Sequence, residues 1–230
     1  MAADLTTPPG RSYVAIGVFT LGYLGVSTLA AIATGNGEFG FYLGVMAVLI
    51  TLVMLVNRRI RMPTAALWAL SVWGLAHMAG GLVPVPASWP IAEGGQRVLY
   101  SLWLVPDLLK YDQAVHAYGF GITTWVCWVA LGRMWAREHG AALRPTLGPL
   151  FFAVGCGMGL GAMNELVEFA ATELLPGTNV GGYTNTGWDL TANLAGCLTA
   201  GVLIRIFGRS PGAPGSEPTC CDSKREADPF

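Results

Sequence analysis

Six long apolar stretches, separated by short polar segments, dominate this chain. They cover residues 12–34, 39–57, 64–84, 112–136, 146–175 and 188–207. Each is long enough to cross the roughly 30 Å hydrocarbon core of a bilayer, which takes about 20 mostly apolar residues in a helix. No stretch alternates apolar and polar residues over the length of a barrel strand, which excludes a transmembrane β-barrel. The sequence therefore predicts an all-α, polytopic membrane bundle of six transmembrane helices.

The low charge content agrees with this prediction. Only 12% of the 230 residues are charged and 53% are hydrophobic, whereas soluble domains average roughly 25% charged residues. Such a chain cannot cover a water-facing surface, which argues against an ordinary soluble domain and against a disordered protein. The net charge of −1 argues against a nucleic-acid binder, which would be basic. Membrane lipids are therefore the expected partners and nucleic acid is not, while the oligomeric state is left open.

The basic residues predict the orientation of the bundle. With the N-terminus in the cytoplasm, the cytoplasmic segments hold eleven of the 13 Lys and Arg residues. The outer loops then hold only Arg97 and Lys110. Because Lys and Arg concentrate in cytoplasmic loops, both termini are expected to be cytoplasmic. The segment 208–230 is rich in Pro, Gly, Ser and charge, and it is predicted to be a disordered cytoplasmic tail that follows a single membrane domain, 1–207.

The longest outer loop, 85–111, contains an apolar run over residues 98–105. This run suits either a short helix lying in the membrane interface or a loop packed over the bundle. Four glycines of the fifth span, Gly155, Gly157, Gly159 and Gly161, form two overlapping pairs of small residues four apart. They predict close packing of that helix against a neighbour.

Six ionisable residues lie inside the predicted spans, where each costs on the order of 2.5–3.5 kcal/mol to insert. They are His77, Asp112, His116, Glu165, Glu168 and Asp189. Asp112 and His116 are four residues apart and share one face of the fourth helix, and two glutamates share a face of the fifth. Because successive helices run in opposite directions, all six fall in the outer half of the bilayer. The sequence therefore predicts one polar cluster rather than scattered charges.

The charge balance of this cluster requires metal ions, bound protons or an aqueous cavity. Four carboxylates share the region, and no Lys or Arg lies at the same depth within a span. Two imidazoles with several carboxylates suit Zn, Fe or Mn, so all six residues are candidate ligands. Asp112, His116 and Glu168 are also the candidate catalytic groups, as ligands or as acid and base. The same residues would equally serve a proton relay, or a network of protonated carboxyls that only fixes helix packing.

Four short motifs stand in a recognisable order: His77-Met-Ala-Gly-Gly, Tyr111-Asp112-x-x-x-His116, Glu165-x-x-Glu168-Phe169 and Thr186-Gly-Trp188-Asp189. Over residues 64–207 this order resembles the YjdF-like bacterial inner-membrane proteins. The chain departs from their pattern at Asn185, where an acid is usual. The resemblance implies a compact multi-pass helical protein of the bacterial cytoplasmic (inner) membrane, and it supplies no reaction.

A looser similarity connects the chain with the VanZ-like proteins, which are associated with glycopeptide-antibiotic resistance and cell-envelope processes. It rests on Asp112, His116, the acidic fifth helix and the motif Asp189-x-x-x-Asn193-x-x-Gly196. VanZ-like chains often carry an Arg before the last Asp, and residues 181–188 contain none.

Three functions fit these observations. The first is a metal-dependent enzyme acting on a lipid, an isoprenoid-linked carrier or another envelope molecule. The second is a non-catalytic membrane protein that binds a lipid or a partner, with the cluster as a structural polar network. The third is a proton- or cation-coupled transporter. The third is disfavoured because no ionisable residue continues the path through the inner half of the spans and no pair of broken helices is present.

Overall fold

The computed structural model of the protein describes residues 10–35, 37–92, 96–175, 178 and 181–208. It contains six long α-helices: α1 (Arg11–Thr34), α2 (Gly37–Ile60), α3 (Thr64–Leu82), α4 (Tyr111–His139), α5 (Leu147–Leu174) and α6 (Tyr183–Phe207). All six are long and apolar enough to cross a membrane, which confirms the predicted bundle of six helices. The predicted tail, beyond Gly208, lies outside the described residues.

The bundle has two ends that differ in structure. One end of the bundle carries the connection between α3 and α4. Helices α1, α3 and α5 end there, and helices α2, α4 and α6 begin there. We call this the hairpin end. Within the bundle, α4 packs most extensively against α6 and also contacts α5 and α3, while α1 packs against α3. Helix α4 therefore contacts α3 on one side and α5 and α6 on the other. Its first turns lie at the hairpin end.

The connection between α3 and α4 is not the interfacial helix that was one of two expectations for residues 98–105. A single 3-10 turn, Leu99–Ser101, is followed by a two-stranded antiparallel hairpin formed by β1 (Trp103–Val105) and β2 (Leu109–Lys110). The backbone N–H of Leu99 donates to the carbonyl of Val83, 3.1 Å away, so the segment folds back onto the end of α3. A short apolar run does not by itself distinguish strand from helix. The alternative expectation, a loop packed over the bundle, describes the segment correctly.

Two glycines of α5 allow its close packing. A Cβ atom at Gly157 would collide with Oγ1 of Thr124 on α4. A Cβ atom at Gly161 would lie 3.0 Å from Nδ2 of Asn193 on α6. The other two glycines of the series have no atom within 4 Å of the corresponding position. The predicted close packing is therefore confirmed for one face of the series, and it holds the acidic end of α5 against α4 and α6.

Replacing Gly157 with alanine should lower the melting temperature of the protein in detergent. The added methyl group overpacks the contact with Thr124, and overpacking typically costs about 1–3 kcal/mol. The matched control is Gly159→Ala, which adds the same methyl group to open space on the same helix and should leave the melting temperature unchanged or slightly raised. Equal melting temperatures for the two variants would contradict the packing described for α5.

Candidate metal centre

The imidazole of His116 lies at the middle of the polar cluster, on the first turns of α4. Its side chain is only 3% exposed. Its Nε2 atom lies 3.6 Å from Oδ1 of Asp112 on the same helix and 3.6 Å from Oε1 of Glu168 on α5. Its Nδ1 atom lies 3.4 Å from Oε1 of Glu165. These separations are longer than direct hydrogen bonds, and they leave room for a cation between the imidazole and its neighbouring carboxylates.

Helix α6 contributes Asp189 and Asn193, both fully buried. The amide Nδ2 of Asn193 donates to Oε1 of Glu165 at 3.3 Å, and its Oδ1 atom lies 3.1 Å from Nδ1 of His116. A carboxylate can only accept, so the bond to Glu165 orients the amide with its oxygen towards the imidazole. Nδ1 of His116 then carries a proton, and the lone pair of Nε2 faces Asp112 and Glu168. Metal-binding histidines are commonly oriented by such a bond at their second nitrogen.

The unpaired polar atoms of the core provide a test of whether a cation fits here. Among the described residues, four buried side-chain nitrogen or oxygen atoms lack a hydrogen-bond partner, and two of them are carboxylate oxygens. These are Oε2 of Glu165 and Oδ1 of Asp189, both in the cluster. Leaving a buried carboxylate oxygen unpaired is costly. A cation among the surrounding ligand atoms would provide the missing interaction.

The ligand atoms form two overlapping groups around His116. Asp112, His116 and Asp189 can each offer one atom within 4.8 Å of the others, and so can His116, Glu165 and Glu168. The structure therefore brings five of the six candidate residues together. The sixth, His77 on α3, belongs to neither group.

Each acid of α5 and α6 in the cluster accepts a hydrogen bond from an asparagine. The three pairs are Asn164 with Glu168 at 2.8 Å, Asn193 with Glu165, and Asn185 with Asp189. Sequence reasoning identified the acids and singled out Asn185 and Asn193, but it missed Asn164 and did not predict that these amides pair with the acids. The signal was the spacing, because Asn164 and Asn185 each stand four residues before their acid, which places both side chains on one helix face.

One basic residue approaches the cluster, although none was expected within the spans. The ammonium group of Lys110, the last residue of β2, donates to Oδ1 of Asn185 and interacts electrostatically with Asp189. Arg97, the other outer basic residue, instead bonds the carbonyls of Val85 at 3.4 Å and Trp89 at 3.2 Å. It therefore holds the loop together and does not balance the carboxylates.

His77 lies beside the cluster among aromatic rings. Its ring packs edge to face against Tyr42 at a centroid distance of 6.3 Å and against Tyr100 at 5.6 Å. The Tyr100 hydroxyl donates to the backbone carbonyl of His77 at 2.7 Å. Burial, with the carboxylates of Asp112 and Glu168 nearby, raises the pKa of the Tyr100 phenol well above its usual range. The phenol therefore stays protonated and remains a donor at neutral pH.

A cavity of about 40 Å³ opens beside the cluster at the hairpin end, with His77 and Tyr100 in one wall and Asp112 and Glu168 in another. It is large enough for a few water molecules, since one needs roughly 10–15 Å³ of such space. Glu38 of α2 also lines it. Sequence reasoning missed Glu38, which stands one residue before the second predicted span and would have been found by searching the span ends for acids.

The comparisons with known proteins agree with the fold. A search of curated proteins and a search of solved structures returned no match. A family model described as "Predicted membrane protein (DUF2238)" matches residues 15–210, a range that includes all six candidate site residues. YjdF-like proteins are named within this family, whereas the VanZ-like similarity gains no support. The chain therefore belongs to the family of predicted membrane proteins DUF2238.

Proposed function

We propose that this protein is a metal-dependent enzyme of the bacterial inner membrane, acting on a lipid or another envelope molecule at the outer face. The observation that carries the proposal is the position of His116, whose Nε2 atom lies 3.6 Å from carboxylate oxygens of both Asp112 and Glu168. The imidazole belongs to two groups of three residues whose ligand atoms lie within 4.8 Å of one another, one with Asp112 and Asp189 and one with Glu165 and Glu168; such a group is a typical half-shell for a divalent metal.

The ligands in this proposal are those of the two overlapping groups around the imidazole: His116, Asp112, Asp189, Glu165 and Glu168. Glu165 also accepts a hydrogen bond from Asn193 and lies beside Nδ1 of His116 through its Oε1 atom, so its unpaired Oε2 atom is the one left to bind the ion. His77 forms a wall of the neighbouring cavity. A donor set of one imidazole and several carboxylates favours Zn, Fe or Mn.

A bound metal would supply a Lewis acid and an activated water. The side chains of the protein have separate roles. The carboxylates hold the ion and can accept a proton, Asn193 fixes the tautomer of His116, and the cavity lets small polar groups reach the cluster from the hairpin end. The hairpin end faces outward in this proposal because the segments at the opposite end hold nearly all the basic residues.

The distribution of buried ionisable groups favours an enzyme over a transporter. Within the part of the chain that the structure describes, the buried histidine and acidic side chains are His116, Glu165 and Asp189, and all three belong to the cluster. A path for protons or cations carried by such groups would need further histidines or acids at other depths. The cluster instead forms a site at one end of the bundle.

The asparagine partners favour a second candidate function, a non-catalytic membrane protein in which the cluster fixes helix packing. An amide can donate to the carbonyl oxygen of a protonated carboxyl as well as to a carboxylate. The three asparagine–acid pairs would then join α5 and α6 without any ion. The two functions differ in whether the purified protein holds metal.

Elemental analysis of the protein purified without chelator tests the proposed function. We expect about one equivalent of a divalent transition metal in the wild type and less than one tenth of that in His116→Ala, which removes the nitrogen ligand. The matched control is His139→Ala, which removes an exposed imidazole at the opposite end of α4 and should leave the metal content unchanged. Wild-type protein that is folded and free of metal would support the packing network instead.

A further inference from the structure

The cavity beside the cluster has aromatic walls that meet nearly at right angles. The ring planes of His77 and Tyr42 are inclined at 86°, and those of His77 and Tyr100 at 70°. Phe39 extends this wall, with its ring inclined at 72° to that of Tyr42. Tyr42, His77 and Tyr100 all line the cavity, and the faces of aromatic rings attract cations.

Two glycines at the end of α3 make room for these rings. A Cβ atom at Gly80 would collide with the ring of Tyr100. A Cβ atom at Gly81 would lie 3.0 Å from Cε2 of Phe39. The motif that begins at His77 thus has a structural explanation in the cavity, because its two glycines let Tyr100 from the loop and Phe39 from α2 pack closely against the end of α3.

The charged groups of the cavity are mostly acidic. Glu38, Asp112 and Glu168 line it, and the hydroxyl of Tyr42 is hydrogen-bonded to Glu38. At its rim, Lys110 is the basic residue that the described structure brings near, through Asn185. The acidic side chains that line the cavity therefore outnumber the basic side chain at its rim.

We propose that this cavity binds a primary ammonium group of the substrate. Three carboxylates offer acceptors for its three N–H donors, and the rings of Tyr42 and Tyr100 cover its remaining surface. The small volume fits an ammonium group better than a sugar or a phosphate, and the acidic lining disfavours an anion. An ethanolamine lipid headgroup and a free small amine share this chemistry. The inference deepens the proposed function, on which it rests for the metal next to the cavity.

Binding of ethanolamine to the purified protein in detergent, measured by calorimetry at pH 7, tests the inference for a free amine. The lipid form is tested in nanodiscs that contain equal amounts of phosphatidylethanolamine and phosphatidylglycerol, by mass spectrometry of the lipid retained on the protein. We expect ethanolamine to bind, or the ethanolamine lipid to be retained in preference. Binding in the detergent arm alone identifies a free amine, and retention in the nanodisc arm identifies a lipid. Failure in both arms, or equal affinity for choline, overturns the proposal.

Variants then place the binding in the cavity. Tyr42→Leu removes one aromatic wall and should weaken binding about tenfold. Glu38→Gln removes one charge with little change of shape and should weaken it by a similar factor, which provides a second test if Tyr42→Leu does not fold. Tyr183→Leu is the matched control, because Tyr183 is 95% exposed near the same end of the bundle, and it should bind as the wild type does. Unchanged binding in folded Tyr42→Leu or Glu38→Gln would overturn the cavity assignment.

Metal content separates this inference from the proposed function. Tyr42→Leu and Glu38→Gln should retain the wild-type amount of metal, because neither residue is among the proposed ligands. Ethanolamine binding by a protein that holds no metal would refute the metal centre and leave the ammonium site standing. A full complement of metal without any amine binding would refute the ammonium site alone.

Discussion

Chelation of the wild-type protein should lower its melting temperature in detergent by roughly 10 °C. A ligand present at a thousand times its dissociation constant stabilises the folded state by about 4 kcal/mol. In a chain of this size, 1 kcal/mol corresponds to about 2–4 °C. The effect is expected to be large because Asp189 and Glu165 each have an unpaired buried oxygen. When the ion is removed, these two oxygens lose the positive charge that stabilises them.

Amide variants show whether this loss of stability depends on carboxylate ligands. Glu168→Gln and Asp189→Asn keep the shape of each side chain and remove its charge, so each should bind metal more weakly. Chelator should then change their melting temperatures by much less than it changes that of the wild type. The matched control is Glu173→Gln, the same change at an exposed position on α5, which should respond to chelator as the wild type does. A network of protonated carboxyls predicts instead that chelator has no effect on any of these proteins.

A membrane-impermeant maleimide applied to intact cells should label a cysteine at Ser88 and spare one at Ala141. Ser88 lies in the α3–α4 connection at the hairpin end, and Ala141 lies between α4 and α5 at the opposite end. Both positions are exposed. The positive-inside distribution places the hairpin end outside. We therefore expect nearly complete labelling of the cysteine at Ser88 and almost none of the cysteine at Ala141. The background protein would lack the native cysteines.

Labelling after the cells are opened is the control for this experiment, because both cysteines should then react. Labelling of Ala141→Cys but not of Ser88→Cys in intact cells would reverse the orientation. The cluster would then open to the cytoplasm, and an envelope substrate at the outer face would no longer be reachable. The metal centre itself does not depend on this result.

The helices of this fold could be predicted from the sequence because each one must be apolar over the full thickness of a bilayer. Hydropathy over about 20 residues is a strong signal, whereas the segments outside the membrane have no such constraint. The predicted sixth span began at residue 188, but α6 begins at Tyr183, because its first turn is polar and contributes no hydropathy. The β1–β2 hairpin was missed because its strands are only three and two residues long.

The cluster could be predicted in part because helical spacing fixes which side chains share a face. The pair Asp112 and His116, and the two glutamates of α5, followed from spacing and from the alternating direction of the helices. The approach of Lys110 to Asn185 depends on how β2 folds over α6, which no local pattern encodes. The position of His77 among aromatic rings likewise depends on the loop that carries Tyr100.

X-ray absorption spectroscopy at the edge of the bound metal tests the proposed centre most directly. The structure predicts a first shell of nitrogen and oxygen atoms at about 2.0–2.2 Å in the wild-type protein, including one imidazole that is recognised by its outer-shell scattering. Sulfur at about 2.3 Å would contradict this centre, because it would place the metal on cysteines such as Cys127 or Cys156. The absence of any metal edge from folded wild-type protein would contradict it as well.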